Sequence, residues 1–346
     1  MNRLRVAVSA AFRRKDGRWN FPGFDLATLV DDPAFDVIQL DNGPQLDPRD
    51  LDGFDGLILA GEALPAAALP APTRLAVVAR FGVGYDKVDV AACTGASVAL
   101  AITPDAVRRP VAVAAITLLL AITGKLLIKD KLTRQGAAGF AVRTNHMGVG
   151  IEGRTLASIG LGNIAAEMFR LASPFGMRHL AYDPYGRLEV ARETAVTLVD
   201  LDTVFRDADF LAVHCPLTPA TRGMVNAERL ATMKPTAFLI NTARGPIVDQ
   251  AALEDALAAG RIAGAGLDVL ETEPPPENAR ILQFDNVILA PHALSWTDQN
   301  FAAVGAACMA SMRALARGVA PAHVVNREVL DQGTFRAKLA RWRTDP

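Results

Sequence analysis

The sequence predicts an α/β protein built on doubly wound parallel sheets, and three observations carry that expectation. Short apolar runs rich in Val, Ile and Leu recur along almost the whole chain, they do not alternate cleanly with polar residues, and helical stretches separate them. Strands covered by helices on both faces have this pattern, because neither face meets water. At roughly 150 residues per domain, a chain of 346 residues suggests two such domains.

In the first half, strands are expected at 4–9, 36–40, 56–60, 75–79 and 96–100. Between the first two lies AFRRKDGRWNFPGFD, where Arg13, Arg14, Lys15 and Arg18 sit beside Phe12, Trp19, Phe21 and Phe24. Its Gly and Pro read as a loop. Such a loop is either a lid near an anionic ligand or a solvated or subunit-contact surface. Thr103–Pro104 and Arg109–Pro110 bracket a hinge-like stretch, with Pro110 expected to open a helix over 111–124 that Gly124 closes. A second wave follows, with strands at 155–160, 180–183, 210–214, 237–241, 264–269 and 287–290 and helices at 163–175 and 250–259. A last helical stretch, 298–317, precedes a tail carrying Arg336, Lys338, Arg341 and Arg343.

Composition narrows the partners. The net charge of −1 provides no field for nucleic acid or an anionic membrane. The most apolar run, Val111–Ile122, is 12 residues long, short of the about 20 that a membrane span needs, and reads as a buried helix. Cys93, Cys215 and Cys308 are widely spaced with no CxxC pair, so neither a disulfide framework nor a metal cluster is expected, and a reducing cytoplasm fits. The amino end lacks the apolar core of a secretory signal.

The strongest local motif is Gly160-Leu-Gly-Asn-Ile-Ala165, which follows an expected strand and opens an expected helix. Gly160 permits the tight turn, Gly162 lets the backbone approach a pyrophosphate, and Ala165 is small enough for helix–strand packing. The first N–H groups of the helix, about Asn163 and Ile164, favour phosphate. Asp183 follows the next strand, where a carboxylate accepts from ribose hydroxyls and repels a 2′-phosphate. NAD is therefore expected over NADP, although the nearby Arg187 would soften the repulsion.

Arg244, Glu273 and His292 follow three successive expected strands. In a parallel sheet all three lie beyond the carboxyl edge, on the side of the glycine loop. Reduction of a ketone builds negative charge on its oxygen, which a cation and a proton donor must meet. His292 has the residue type to exchange a proton near neutral pH. Glu273 can orient the ring, and the planar fork of Arg244 can bind carboxylate and carbonyl oxygens.

The segments Arg80-Phe-Gly-Val-Gly-Tyr-Asp86, Gly160–Ala165, His214-Cys-Pro-Leu-Thr-Pro219, Asn241-Thr-Ala-Arg-Gly245, Gly266-Leu-Asp-Val269, Glu273-Pro-Pro275 and Pro291-His292 resemble the D-isomer-specific 2-hydroxyacid dehydrogenases, in consistent order from about Leu75 to His292. The resemblance implies two Rossmann-like domains, with residues 1–106 plus 297–346 as substrate domain and 107–296 as NAD-binding domain. It also implies an active site in the interdomain cleft and a homodimer. Carried over, Arg244 binds the substrate carboxylate and carbonyl, His292 is the acid/base, and Glu273 pairs with it. Asp268 contacts the nicotinamide amide. Cys215 and Pro216, with His214 beside them, line the adenine and ribose side, and Thr242 and Ala243 the nicotinamide side. Gly82 and Val83 hold the substrate carboxylate through backbone N–H groups. Arg80 approaches a distal substrate group in phosphoglycerate-type members. After His292 the sequence ALSWT departs from the common pattern, and Trp296 is expected either to shape the pocket or to pack.

The activity so implied is NAD-dependent interconversion of a 2-keto acid and a D-2-hydroxy acid. Two alternatives stay open. One is an NAD(H)-sensing module like the family's corepressors, acting through a partner without turnover. The other is oxidation of a small anion such as formate, against which the complete His–Glu pair argues.

Overall fold

A computed structural model describes residues 3–343 apart from Lys15, Gly17, Trp19 and Pro22. Lys15 and Trp19 of the basic, aromatic segment thus lie outside the described residues, as do the last three positions of the tail. The chain divides into two compact units, 1–107 with 296–346, and 108–295.

The first unit holds strands β1 (Leu4–Val8), β2 (Phe35–Gln39), β3 (Gly56–Leu59), β4 (Val77–Arg80) and β5 (Ala99–Ala101). They form one parallel sheet in the order β2-β1-β3-β4-β5. One face buries Leu57, Leu59, Val78 and Leu100, and helix Asp298–Ala316 packs on β3 and β4. Two strands begin later than expected. Leu75 gives its carbonyl to the buried Lys338 ammonium, so β4 starts at Val77. Ala96 caps helix Val90–Gly95 and Ser97 takes a left-handed φ of 54°, which delays β5 to Ala99.

The second unit holds β6 (Thr155–Ile159), β7 (Arg178–Tyr182), β8 (Val196–Leu198), β9 (Phe210–Val213), β10 (Phe238–Asn241), β11 (Gly264–Leu267) and β12 (Val287–Leu289). All are parallel, in the order β12-β11-β10-β9-β6-β7-β8. The chain builds outward from β6 to β8, then crosses to β9 on the other side, so β6 and β9 flank the switch point where such sheets bind ligands. β8 escaped the sequence because it is three residues long with polar Thr197 at its centre.

Pro110 does not open a helix. The helix runs Pro104–Thr123 with Pro110 inside it, because Pro104 already supplies the preferred first-turn proline. At 20 residues it is long and apolar enough to cross a membrane. Its Ala112, Ala115, Leu118 and Leu119 are buried in the core of the second unit, and Leu118 lies so close to Gly266 that a Cβ there would crowd it. Helices Leu126–Arg134 and Ala137–Val142 were not anticipated, and the first of them buries no residue.

Candidate active site

The dinucleotide motif sits between β6 and helix Asn163–Ala172. Gly160 has φ +95°, and a Cβ there would stand 3.1 Å from the backbone of His214 and Cys215. Gly162 differs: a Cβ there would meet nothing within 4 Å, so the chain's own packing does not demand a glycine. A ligand that must approach the backbone does. Ala165 is fully buried, and the first N–H groups of the helix have no acceptor within it.

Asp183 closes over the same loop. Its Oδ2 accepts from Leu161 N–H (2.8 Å) and its Oδ1 from Tyr185 N–H (2.9 Å). Arg187 reaches the other side, donating to the Leu161 carbonyl (3.3 Å) and Asn163 Oδ1 (3.4 Å). Behind the loop, Ser158 donates to the Gly160 carbonyl (2.7 Å) and lies 3.2 Å from His214 Nδ1. His214 Nε2 and Thr242 Oγ1 are buried without a hydrogen-bond partner among the described residues. An open glycine cradle, a helix N-terminus, a carboxylate at the strand end and two unpartnered buried polar atoms together fit a nicotinamide dinucleotide. Burial pushes the Cys215 thiol up to about 11, which makes it a poor nucleophile near neutral pH. Pro216 beside it is exposed.

The chemistry-bearing residues follow β10, β11 and β12. Arg244 leaves β10 through a turn tied by Asn241, which donates to the Arg244 carbonyl (3.0 Å) and accepts from Ala243 N–H (3.0 Å). Gly245 packs onto the Leu270 carbonyl so tightly that a Cβ would overlap it. Arg244 Nη1 donates to the Ala243 carbonyl (2.7 Å). Glu273 accepts from Leu270 N–H (3.0 Å) on one oxygen and faces His292 Nδ1 at 2.9 Å with the other. Burial alone would raise its pKa; the hydrogen bonds from His292 and Leu270 and the charge of Arg244 outweigh it and hold the carboxyl below its ordinary value.

His292 occupies the left-handed region, φ 54°. Asp268 holds it there: its carbonyl accepts from His292 N–H (2.8 Å), and its Oδ1 from Ala293 and Leu294 N–H (3.0 and 3.1 Å). Burial raises the Asp268 pKa despite those donors. That carboxylate oxygen is thus committed to the turn beneath His292, a role the sequence did not suggest. With Nδ1 on Glu273, His292 can carry a proton on Nε2.

Within the second unit, then, Arg244, Glu273 and His292 stand at the carboxyl ends of neighbouring strands, with the Gly160 loop on the same edge. Arg80, Gly82, Val83 and Trp296 belong to the first unit. Gly82 N–H donates to Thr103 Oγ1 (3.1 Å), so the donor that the resemblance gives to a substrate carboxylate is already engaged. Arg80 donates to the Phe81 carbonyl. Trp296 is 52% exposed and meets Phe21 and Phe301 edge-on. Phe12 and Phe24 of the 12–24 segment are buried and join Phe21 around Phe81, so the aromatic side of this segment is core. Sequence reasoning missed Ser158 and Asn241; a lone polar residue within or ending an apolar strand was their signal.

The class is a doubly wound α/β protein with a dinucleotide cradle and a histidine–carboxylate pair on one sheet edge. The model of the family described as "D-isomer specific 2-hydroxyacid dehydrogenase, NAD binding domain" matches residues 116–293. A glyoxylate reductase of Korarchaeum cryptofilum is 38% identical over 283 residues, 82% of this chain and 85% of that one. A D-3-phosphoglycerate dehydrogenase of Methanocaldococcus jannaschii is 35% identical over 80% of this chain and 52% of its own length. Among solved structures, an NADPH-dependent glyoxylate/hydroxypyruvate reductase from Sinorhizobium meliloti, in complex with NADP and malonate, superposes with a TM-score of 0.79 at 30% identity, covering 94% of this chain and 98% of that one. The chain belongs to the D-isomer specific 2-hydroxyacid dehydrogenase family, and it is an oxidoreductase of that class.

Proposed function

We propose that this enzyme reduces a small 2-keto acid to the D-2-hydroxy acid, with His292 as proton donor, Glu273 as its orienting partner and Arg244 as the substrate cation. The observation that carries the reading is the 2.9 Å contact between His292 Nδ1 and Glu273 beside Arg244. A nicotinamide dinucleotide held at the Gly160 loop supplies the hydride. Arg244 meets the carboxylate and the carbonyl oxygen, so charge growing on that oxygen faces a cation. Glu273 keeps the Nδ1 proton in place, which leaves Nε2 to hand its proton to the new hydroxyl. Asp268 keeps the ring where this happens, through the turn at residues 292–294. Arg80, Gly82, Val83 and Trp296 stand as substrate-recognition candidates on the resemblance and chain position alone.

The relatives point to glyoxylate or hydroxypyruvate as substrate. NAD is the preferred cofactor in this reading, because Asp183 places a carboxylate at the strand end. The free thiols and balanced charge suit a cytoplasmic enzyme. A homodimer is supported by the exposed Leu126, Leu127, Phe140 and Met147 on the helical segment after the long helix. The test is NADH and NADPH oxidation against a panel of 2-keto acids, from glyoxylate and hydroxypyruvate to branched, aromatic and phosphorylated members. Turnover of the small members with NADH preferred supports the reading. Cofactor binding without turnover of any member overturns it in favour of a sensing module. Asp183→Ser is expected to shift kcat/KM toward NADPH on the order of tenfold. Sedimentation velocity tests the dimer.

A further inference from the structure

Behind the glycine turn lies a hydrogen-bond chain whose direction follows atom by atom. Ser158 is fully buried, with its hydroxyl 2.7 Å from the Gly160 carbonyl oxygen and 3.2 Å from His214 Nδ1. A carbonyl only accepts, so the one Ser158 proton goes to Gly160. The hydroxyl then turns lone pairs toward His214, and Nδ1 must carry the ring proton. Burial pushes the imidazole pKa down to about 4, so near pH 7 the ring is neutral and has a single N–H.

Nε2 is therefore a bare acceptor, buried and without a partner among the described residues. Thr242 Oγ1 is in the same condition. The two belong together by register. Asn241 pairs with Val213, and Thr242 and His214 are the next residue on each strand. Matched positions on neighbouring parallel strands share a face. It is the face of Ser158, which pairs with Ala212, two residues before His214. Register thus brings the His214 and Thr242 side chains to one face past the ends of β9 and β10, next to the switch point between β9 and β6.

We propose that His214 is a positioning residue of the dinucleotide site: through Ser158 it fixes the Gly160 carbonyl and so the glycine turn, and its bare Nε2, beside the Thr242 hydroxyl, accepts a hydrogen bond from a hydroxyl or amide donor of the bound dinucleotide. The proposal rests on the dinucleotide reading given above. A dinucleotide carries both donor types, on its riboses and its carboxamide. A buried acceptor of this kind gains from such a donor, because no water competes for it.

Nitrogen NMR of the histidine rings, with and without NADH, tests this together with NADH binding followed by fluorescence. The His214 signal is identified by its loss in His214→Asn. In the free protein His214 is expected to show a protonated Nδ1 and an unprotonated Nε2, and NADH should move Nε2 toward the hydrogen-bonded position while Nδ1 holds. His214→Ala should weaken NADH binding about three- to tenfold, the range of one lost hydrogen bond. His214→Asn keeps an N–H toward Ser158 and should fall between it and wild type, which also serves if the alanine variant fails to fold. KM for NADH should move more than kcat. An Nε2–H tautomer in the free protein, an Nε2 signal unmoved by NADH, or unchanged affinity in His214→Ala overturns the proposal and leaves the dinucleotide reading standing. No NADH binding by the wild type overturns both.

Discussion

After β1, where the connections of the first sheet diverge, the chain closes its own donors. Glu62, only 7% exposed, accepts from the Ser9 hydroxyl (2.8 Å), Ala11 N–H (2.7 Å) and Gly61 N–H (3.0 Å), and Asn42 accepts from Ala10 N–H (2.9 Å). After β6, at the corresponding place in the second sheet, Gly162 has open space where a Cβ would go, and the first turn of the following helix presents N–H groups outward. Asp183 takes one loop N–H there, at Leu161, while His214 and Thr242 keep buried polar atoms without partners among the described residues. Both places are switch points of a parallel sheet, although the sheets differ in strand number and order. The first is filled by a side chain of its own chain, and the second is left for a ligand. A doubly wound sheet thus offers an anion site at its switch point, and the local side chains decide whether it stays one.

The widest separation between the units should come from His292→Ala. We expect kcat to fall about 10²–10⁴-fold, the range for a lost general acid, with NADH binding retained in a fluorescence titration. Loss of NADH binding instead would remove His292 from its assigned role. Glu62→Ala comes next. It strips an acceptor from three donors of the first unit and should lower unfolding free energy by about 1–3 kcal/mol in urea melts, without altering NADH affinity. An effect on NADH affinity with unchanged stability would erase the contrast drawn between the two edges.

Gly162→Ala acts on the open edge of the second sheet. The methyl group meets nothing within 4 Å among the described residues, so thermal stability should hold, while NADH affinity drops on the order of tenfold. A variant that melts early with normal affinity would make Gly162 a packing residue. The smallest effect is expected from thiol alkylation. Burial raises Cys93 and Cys308 to about 12 and Cys215 to about 11, so iodoacetamide near pH 7 should leave mass and activity unchanged in both units. Rapid modification at Cys215 would show that the segment after β9 opens.

Legibility followed the source of each signal. Strands buried on both faces write themselves as apolar runs, so most were found within a residue or two. β8 was lost because a three-residue edge strand with a central Thr has no such run. The helix expected over 111–124 starts seven residues earlier, since Pro104 and Pro110 both satisfy the rule for a first-turn proline, and the rule has no way to choose. Arg244, Glu273 and His292 were visible as chemical types at strand ends. Asn241, Ser158 and the turn-holding role of Asp268 were not: Asn241 and Ser158 tie backbone atoms two or three residues on in turns that residue type does not announce, and Asp268 holds N–H groups 25 and 26 residues away.

The sequence by itself determined the two parallel sheets, the glycine turn and the Arg, Glu and His that follow three successive strands, since periodicity and local spacing encode them. Only the tertiary structure decided what each polar group is bonded to. It engaged Gly82 N–H with Thr103, packed the aromatic side of the 12–24 segment around Phe81, placed Glu273 on Nδ1 of His292, and left Nε2 of His214 bare. The physical reason is that a hydrogen bond depends on distance and direction between atoms that the chain brings together from separations of 19 to 56 residues, and no local pattern carries that information.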